Sequence, residues 1–225
     1  DVVIEDEKVA AIGVGMSVQA DAEIDATDRY VMPGGVDVHT HMELPFGGTA
    51  AIDTFETGTR AAAWGGTTSI IDFAVQRYGE RVEEGLATWH AKAAGNACID
   101  YGFHQIIGGV DDQSLKDMKY LVEHEGISSF KLFMAYPGVF YSDDGQILRA
   151  MQVAADTGAM IMMHAENGIA IDAIIQQMIG RGQTAPAFHS DSRPVEMEQE
   201  ATYRAIMLAK YTKCPLYVVH MSAKE

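Results

Sequence analysis

Six short apolar runs recur along this chain, mostly about 30 residues apart and separated by stretches of helical periodicity. No other feature constrains the fold as much. The runs fall at 35–41, 67–73, 98–107, 128–134, 159–165 and 215–221. The intervening stretches carry apolar residues on one helical face: Val82, Leu86, Trp89 and Ala93, then Leu115, Met118 and Val122, then Ile147, Met151 and Ala154. They close at Gly95-Asn96, Gly126 and Gly158. Asp53 with Glu56 reads as the cap of an earlier helix that closes at Gly65-Gly66. A longer connection holds a helix at about 169–179, a loop with Pro186 and Pro194, and a helix over 195–210. Strands alternating with helices in this way form βαβ units and a parallel sheet, either an open doubly wound sheet or a closed barrel.

Where those runs stop decides between the two. His39 and His41 end the first, Lys131 lies in the fourth, His164 ends the fifth and His220 the sixth. Ends of the first, fourth, fifth and sixth strands hardly meet across an open twisted sheet. In a barrel every strand end faces one mouth, where such folds place their chemistry. The expected fold is therefore α/β, a (β/α)8 TIM-like barrel truncated here to six strands over 34–225. Residues 1–33 form a separate segment of short strands and turns. Val2-Val3-Ile4 and Val9-Ala10-Ala11-Ile12 flank a polar turn, and 23–26 and 30–32 follow as further strands. The chain lacks an initiator Met and stops where a helix starts, which reads as a fragment of a longer protein.

His39 and His41 share one face of their strand, as the two-residue repeat requires. Asp37 has the same parity and is expected below them, orienting an imidazole. Four histidines at equivalent strand ends suit zinc or another divalent first-row cation better than four unrelated core histidines do. Lys131 sits between apolar neighbours, where an ammonium is costly to bury and would repel a cation. Two chemistries resolve this: a carbamate formed with carbon dioxide, anionic and able to bridge two metals, or a neutral amine poised for a Schiff base. A lysine snorkelling out of the mouth is the bland alternative. His90 and His124 fall on helices facing solvent, His104 reads as strand packing, and His189 lies in the long loop.

With 16 basic against 32 acidic residues, the net charge of -16 disfavours nucleic acid and anionic membrane as partners. No apolar stretch approaches the roughly 20 residues of a membrane span. Cys98 and Cys214 read as buried free thiols in a reducing, cytoplasmic setting.

Four stretches then carry a family resemblance. Pro33-Gly34-Gly35-Val36-Asp37-Val38-His39-Thr40-His41, Phe130-Lys131-Leu132-Phe133-Met134-Ala135-Tyr136-Pro137, Met163-His164-Ala165-Glu166-Asn167 and Val219-His220-Met221-Ser222 resemble the D-hydantoinase and dihydropyrimidinase branch of the cyclic amidohydrolases. The resemblance implies two divalent cations, expected to be zinc. His39 and His41 would hold one, His164 and His220 the other, and Lys131, as its N6-carboxylated form, would bridge them. It gives Tyr136 the role of hydrogen-bonding the developing oxyanion. Leu44, Phe46, Phe133, Tyr136 and Phe140 would shape the substrate pocket. The N-terminal segment looks like part of a small β-sandwich, and a homotetramer is implied. A further aspartate ligand would lie beyond Glu225, so the isolated fragment is expected to be inactive.

The implied reaction opens a hydantoin or dihydropyrimidine to its N-carbamoyl amino acid. Allantoinase and dihydroorotase are the near alternatives. The loop Met42-Glu43-Leu44-Pro45-Phe46-Gly47-Gly48 offers no basic group for a substrate carboxylate, which disfavours the second. A non-catalytic scaffold of the same fold is the alternative from another class, and retention of all five donor residues argues against it. A Schiff-base lyase using Lys131 is the third.

Overall fold

The computed structural model describes residues 1–224, and these form two compact units, 1–33 and the remainder from Gly34 on. In the first, β1 (Val2–Glu5) and β2 (Lys8–Ile12) make an antiparallel hairpin. Its two turn residues, Asp6 and Glu7, both have positive φ, which matches the right-handed twist of the flanking strands. Residues 23–26 and 30–32 form no strands, contrary to the alternation read there. A strand needs a neighbour to take its backbone groups, and these segments have none.

The second unit runs β3 (Gly35–Thr40), β4 (Pro45–Phe46), β5 (Thr49–Ala50), α1 (Phe55–Trp64), β6 (Thr67–Val75), α2 (Val82–Ala93), β7 (Asp100–Ile106), α3 (Asp112–His124) and β8 (Ser129–Phe133). It continues through α4 (Asp144–Thr157), β9 (Met160–His164), α5 (Gly168–Gly180), a 3-10 turn at Pro186–Phe188, α6 (Val195–Thr212) and β10 (Leu216–Val218). Six of these strands form one parallel sheet in the order β10-β9-β8-β7-β6-β3, with β4 and β5 a separate hairpin. Sequential strands are neighbours throughout, so the sheet is a curled half-barrel, six strands of a truncated TIM barrel.

Position in the sheet explains the burial. In the interior strands Phe130, Lys131 and Leu132 of β8, and Ile161, Met162 and Met163 of β9, are all buried, so both faces are covered. At the open edge, Val36 and Val38 of β3 are 61% and 41% exposed. Helices α2, α3 and α4 close the outer layer with Leu86, Trp89, Met118, Leu121, Ile147 and Met151. Among the described residues no helix is long and apolar enough to cross a membrane.

Two local expectations change. The cap of α1 is Thr54, whose hydroxyl accepts from the Thr57 backbone, while Thr57 reaches back to Thr54; Asp53 lies one residue too early. Cys98 is exposed rather than buried, because it sits in the turn before β7, whereas Cys214 is buried.

Candidate active site

The C-terminal parts of β3, β8 and β9, and the residues just past β3, β8 and β10, carry the side chains singled out above. On β3 the rings of His39 and His41 stand edge to face with centroids 5.1 Å apart. Both rest on Phe73 of β6, at 4.7 and 4.8 Å. His220 lies two residues beyond β10 at a positive φ, so its ring turns inward, 5.7 Å from His39 and 4.7 Å from His164. Nδ1 of His164 faces Nε2 of His220 at 3.1 Å. The other His164 nitrogen, Nε2, lies 2.6 Å from Glu166. A carboxylate only accepts, so Nε2 carries a hydrogen.

Lys131 is 1% exposed. Its Nζ sits 5.2 Å from the rings of both Phe73, which underlies His39 and His41, and Phe133, which stacks on His164. The amine therefore lies between the two imidazole pairs. Burial alone pushes its pKa down to about 7, so a large fraction is uncharged at neutral pH. Burial first, and the nearby Lys131 next, lower His39, His41 and His220 to about 4. All three are neutral imidazoles near pH 7, the form that ligates a cation.

The donor set fits a pair of cations. His41 Nδ1 is buried with no hydrogen-bond partner, a costly arrangement that a metal would relieve. Among the described residues, no three His, Cys, Asp or Glu side chains gather tightly enough to hold one ion. Among the described residues the shortest ring contacts pair His39 with His41 and His164 with His220, and Lys131 lies against Phe73 and Phe133, which pack on one pair and on His164.

Around this cluster stands an aromatic wall. Phe133 stacks on Phe140 at 4.9 Å, Phe46 packs edge-on against Tyr136 at 4.9 Å, and Tyr136 lies 5.0 Å from His164. Leu44 packs against the hydrophobic core, as Tyr136 does, and its carbonyl accepts from Ala51. Tyr136 adopts φ 63°, a left-handed backbone rare for a tyrosine. Its carbonyl accepts from the backbone of Val139, Phe140 and Tyr141, which holds that strained turn. Burial, then the Glu166 carboxylate, raise the phenol pKa, with Arg193 pulling the other way. Tyr136 stays protonated and able to donate.

Gly168 sets how closely this turn approaches α5. A Cβ there would fall 2.4 Å from Ala135 Cα, and neither backbone can swing aside. Gly168→Ala is expected to cost roughly 1–3 kcal/mol as an overpacked contact. At Gly180 a Cβ meets nothing within 4 Å. Thermal denaturation of Gly168→Ala beside Gly180→Ala checks this, and equal melting temperatures would count against it.

Several residues play parts different from those expected. Asp37 is exposed and accepts from the His39 backbone at 3.0 Å, so it orients no imidazole ring. His104 is a buried core histidine, as expected: its ring lies 4.8 Å from Phe73, and Nε2 donates to the Val38 carbonyl at 3.0 Å. His189 is exposed beside the 3-10 turn. Glu166, with Arg193 3.6 Å away, and Asp72 were not anticipated in any role. Glu166 stands two residues after His164, a spacing that hinted at a partner. Two surface grooves, one between α3 and α4 and one along α6 toward Met221, are lined by none of these groups.

Residues 30–201 match the amidohydrolase family. The chain belongs to that family. Family members are metal-dependent, in keeping with the paired imidazoles described above. Among individual amidohydrolase relatives, the chain is 62% identical over 230 residues to a D-hydantoinase of Streptomyces coelicolor, covering 100% of this chain and 49% of that one. The structure of a D-hydantoinase from a Bacillus species superimposes with a TM-score of 0.93 at 49% identity, covering 97% of this chain and 48% of the other. A dihydropyrimidinase from Brevibacillus agri gives a TM-score of 0.94 at 48% identity, with 98% and 48% covered. The chain spans about half the length of the curated relatives it matches.

Proposed function

We propose that this chain supplies half of a metal-dependent cyclic amidase, one that opens a hydantoin or dihydropyrimidine ring to an N-carbamoyl amino acid. The observation that carries the reading is Lys131, buried beside four imidazoles with its pKa lowered to about 7. On this reading His39 and His41 hold one divalent cation and His164 and His220 the other, with zinc the ion that suits imidazole. Two such cations bring the pKa of a water toward neutrality and polarise the carbonyl under attack.

The chain's own residues supply the rest. The Lys131 nitrogen would add to the carbon of carbon dioxide and release a proton, giving an anionic carbamate able to serve as a ligand beside the imidazoles. Glu166 holds the proton on His164 Nε2, which keeps Nδ1 free to ligate. Tyr136 donates to the ring carbonyl oxygen as negative charge gathers there. Phe46, Phe133 and Phe140 form an apolar wall suited to an uncharged ring substituent. The hairpin unit at 1–33 belongs, on the same reading, to a small β-sandwich, and the protein forms a homo-oligomer.

Turnover by the full-length protein of hydantoin, dihydrouracil, allantoin and dihydroorotate, with and without chelator, tests the proposal. Chelator-sensitive opening of the first two is expected; undiminished turnover after complete metal removal would overturn it. Tyr136→Phe keeps the ring contacts and removes the donor. Its kcat should fall by about 100- to 1,000-fold with little change in KM, the loss typical of one oxyanion donor. Steady-state kinetics check this.

A further inference from the structure

Asp72 is fully buried, yet none of its four hydrogen-bond partners is a cation. One oxygen, Oδ2, accepts from the Thr40 hydroxyl and the Met42 backbone, each at 2.8 Å. The other accepts from its neighbour Phe73 at 2.8 Å and from Trp89 Nε1 at 3.0 Å. Thr40 and Met42 are the residues on either side of His41. Alternation along the strand explains how one carboxylate grips both without touching the ring. The Thr40 side chain points to the helix-facing side of the sheet, where Trp89 lies, and His39 and His41 point to the other.

Phe73 completes the arrangement from that other face. As the next residue on β6 it points inward and underlies both imidazoles. The strand is therefore held from two sides by consecutive residues of one neighbour. The clamp reaches further: Lys92 lies 4.3 Å over the Trp89 ring and 3.5 Å from the Glu43 carboxylate. Thr40, Met42 and Glu43 are each fixed, while the His41 ring keeps an unpartnered Nδ1. The β3–β6 register slips between Asp37 and Thr40, so the ladder itself does not fix the end of β3.

We propose that Asp72 is a positioning residue, which sets the backbone on both sides of His41 and so holds His39 and His41 at the spacing of one cation site. This rests on the metal-centre reading above. Replacing the carboxylate with an amide leaves one oxygen where four donors had two, and turns an NH2 group toward two of those donors. Thr40→Val removes a single donor at nearly constant shape.

Cobalt(II) titration of the metal-free full-length protein, read by d–d absorption and by chelator competition, tests the proposal. Asp72→Asn and Thr40→Val should each weaken one of the two sites by roughly 10- to 100-fold and shift its spectrum, with the other site unchanged. Thr59→Val is the matched control: it also loses a buried threonine hydroxyl, one that bonds only within α1 and to Cys98. It should leave both sites as in wild type. Should Asp72→Asn fail to fold, Thr40→Val carries the comparison. Two normal sites in Thr40→Val, or equal losses in Thr40→Val and Thr59→Val, would overturn the positioning role while the metal centre stands. A wild-type protein that takes up no cobalt(II) would overturn both.

Discussion

Lys131→Met in the full-length protein is expected to lower kcat by about three orders of magnitude, or about 4 kcal/mol of transition-state stabilisation. The methionine fills the same slot between Phe73 and Phe133 and removes a buried amine, so the metal-free fold should be no less stable than wild type. What disappears is the one group between the imidazole pairs able to become an anionic bridge. Metal content should fall with activity. In Lys131→Ala, which leaves a cavity, a short-chain carboxylate added to the assay should restore part of both. Lys131→Met with wild-type turnover, or loss of activity at full metal content, would count against the bridging role. The lyase alternative makes a different forecast, since it needs Lys131 but survives chelation.

The second large effect concerns acid. His39, His41 and His220 sit near 4 in the folded chain against 6.5 for a free imidazole. Between those values the unfolded chain binds protons that the folded chain does not, so stability falls as pH falls. For His41, partly shielded from water, the loss amounts to about 2–3 kcal/mol across that window once solvent screening is allowed for. The contribution is fully present above pH 6.5 and gone below about 4. Cation binding should fade over the same range, because protons and metal compete for the same lone pairs. Urea denaturation of the metal-free protein from pH 7 to pH 4 checks the first point. A flat profile across pH 6.5 to 4 would contradict it, and His41→Asn should flatten the curve in part.

What could be read from residue order follows from which forces act locally. β8 and β9 announced themselves because strands covered on both faces need unbroken apolar runs, so an embedded lysine and a terminal histidine stood out. Parallel strands share a direction, which placed all their ends together before any coordinates existed. The helices could be bounded from periodicity and from Gly126 and Gly158, both at positive φ. Thr54 escaped notice because both it and Asp53 are good caps, and only the backbone turn separates them. Asp72 was hidden for a different reason: three of its partners lie 17 to 32 residues away, across strands whose register no local pattern reveals. Asp37 had the right parity for an imidazole, but its carboxylate took the nearer backbone N–H. Cys98 looked buried from its apolar neighbours, and a turn exposed it.

The most direct measurement is anomalous diffraction from crystals of the full-length protein, collected at the absorption edge of its metal. Two peaks are expected, one against His39 and His41 and one against His164 and His220, joined by continuous density extending from Lys131 Nζ. A bare Lys131 amine, or metal peaks away from these four imidazoles, would contradict this.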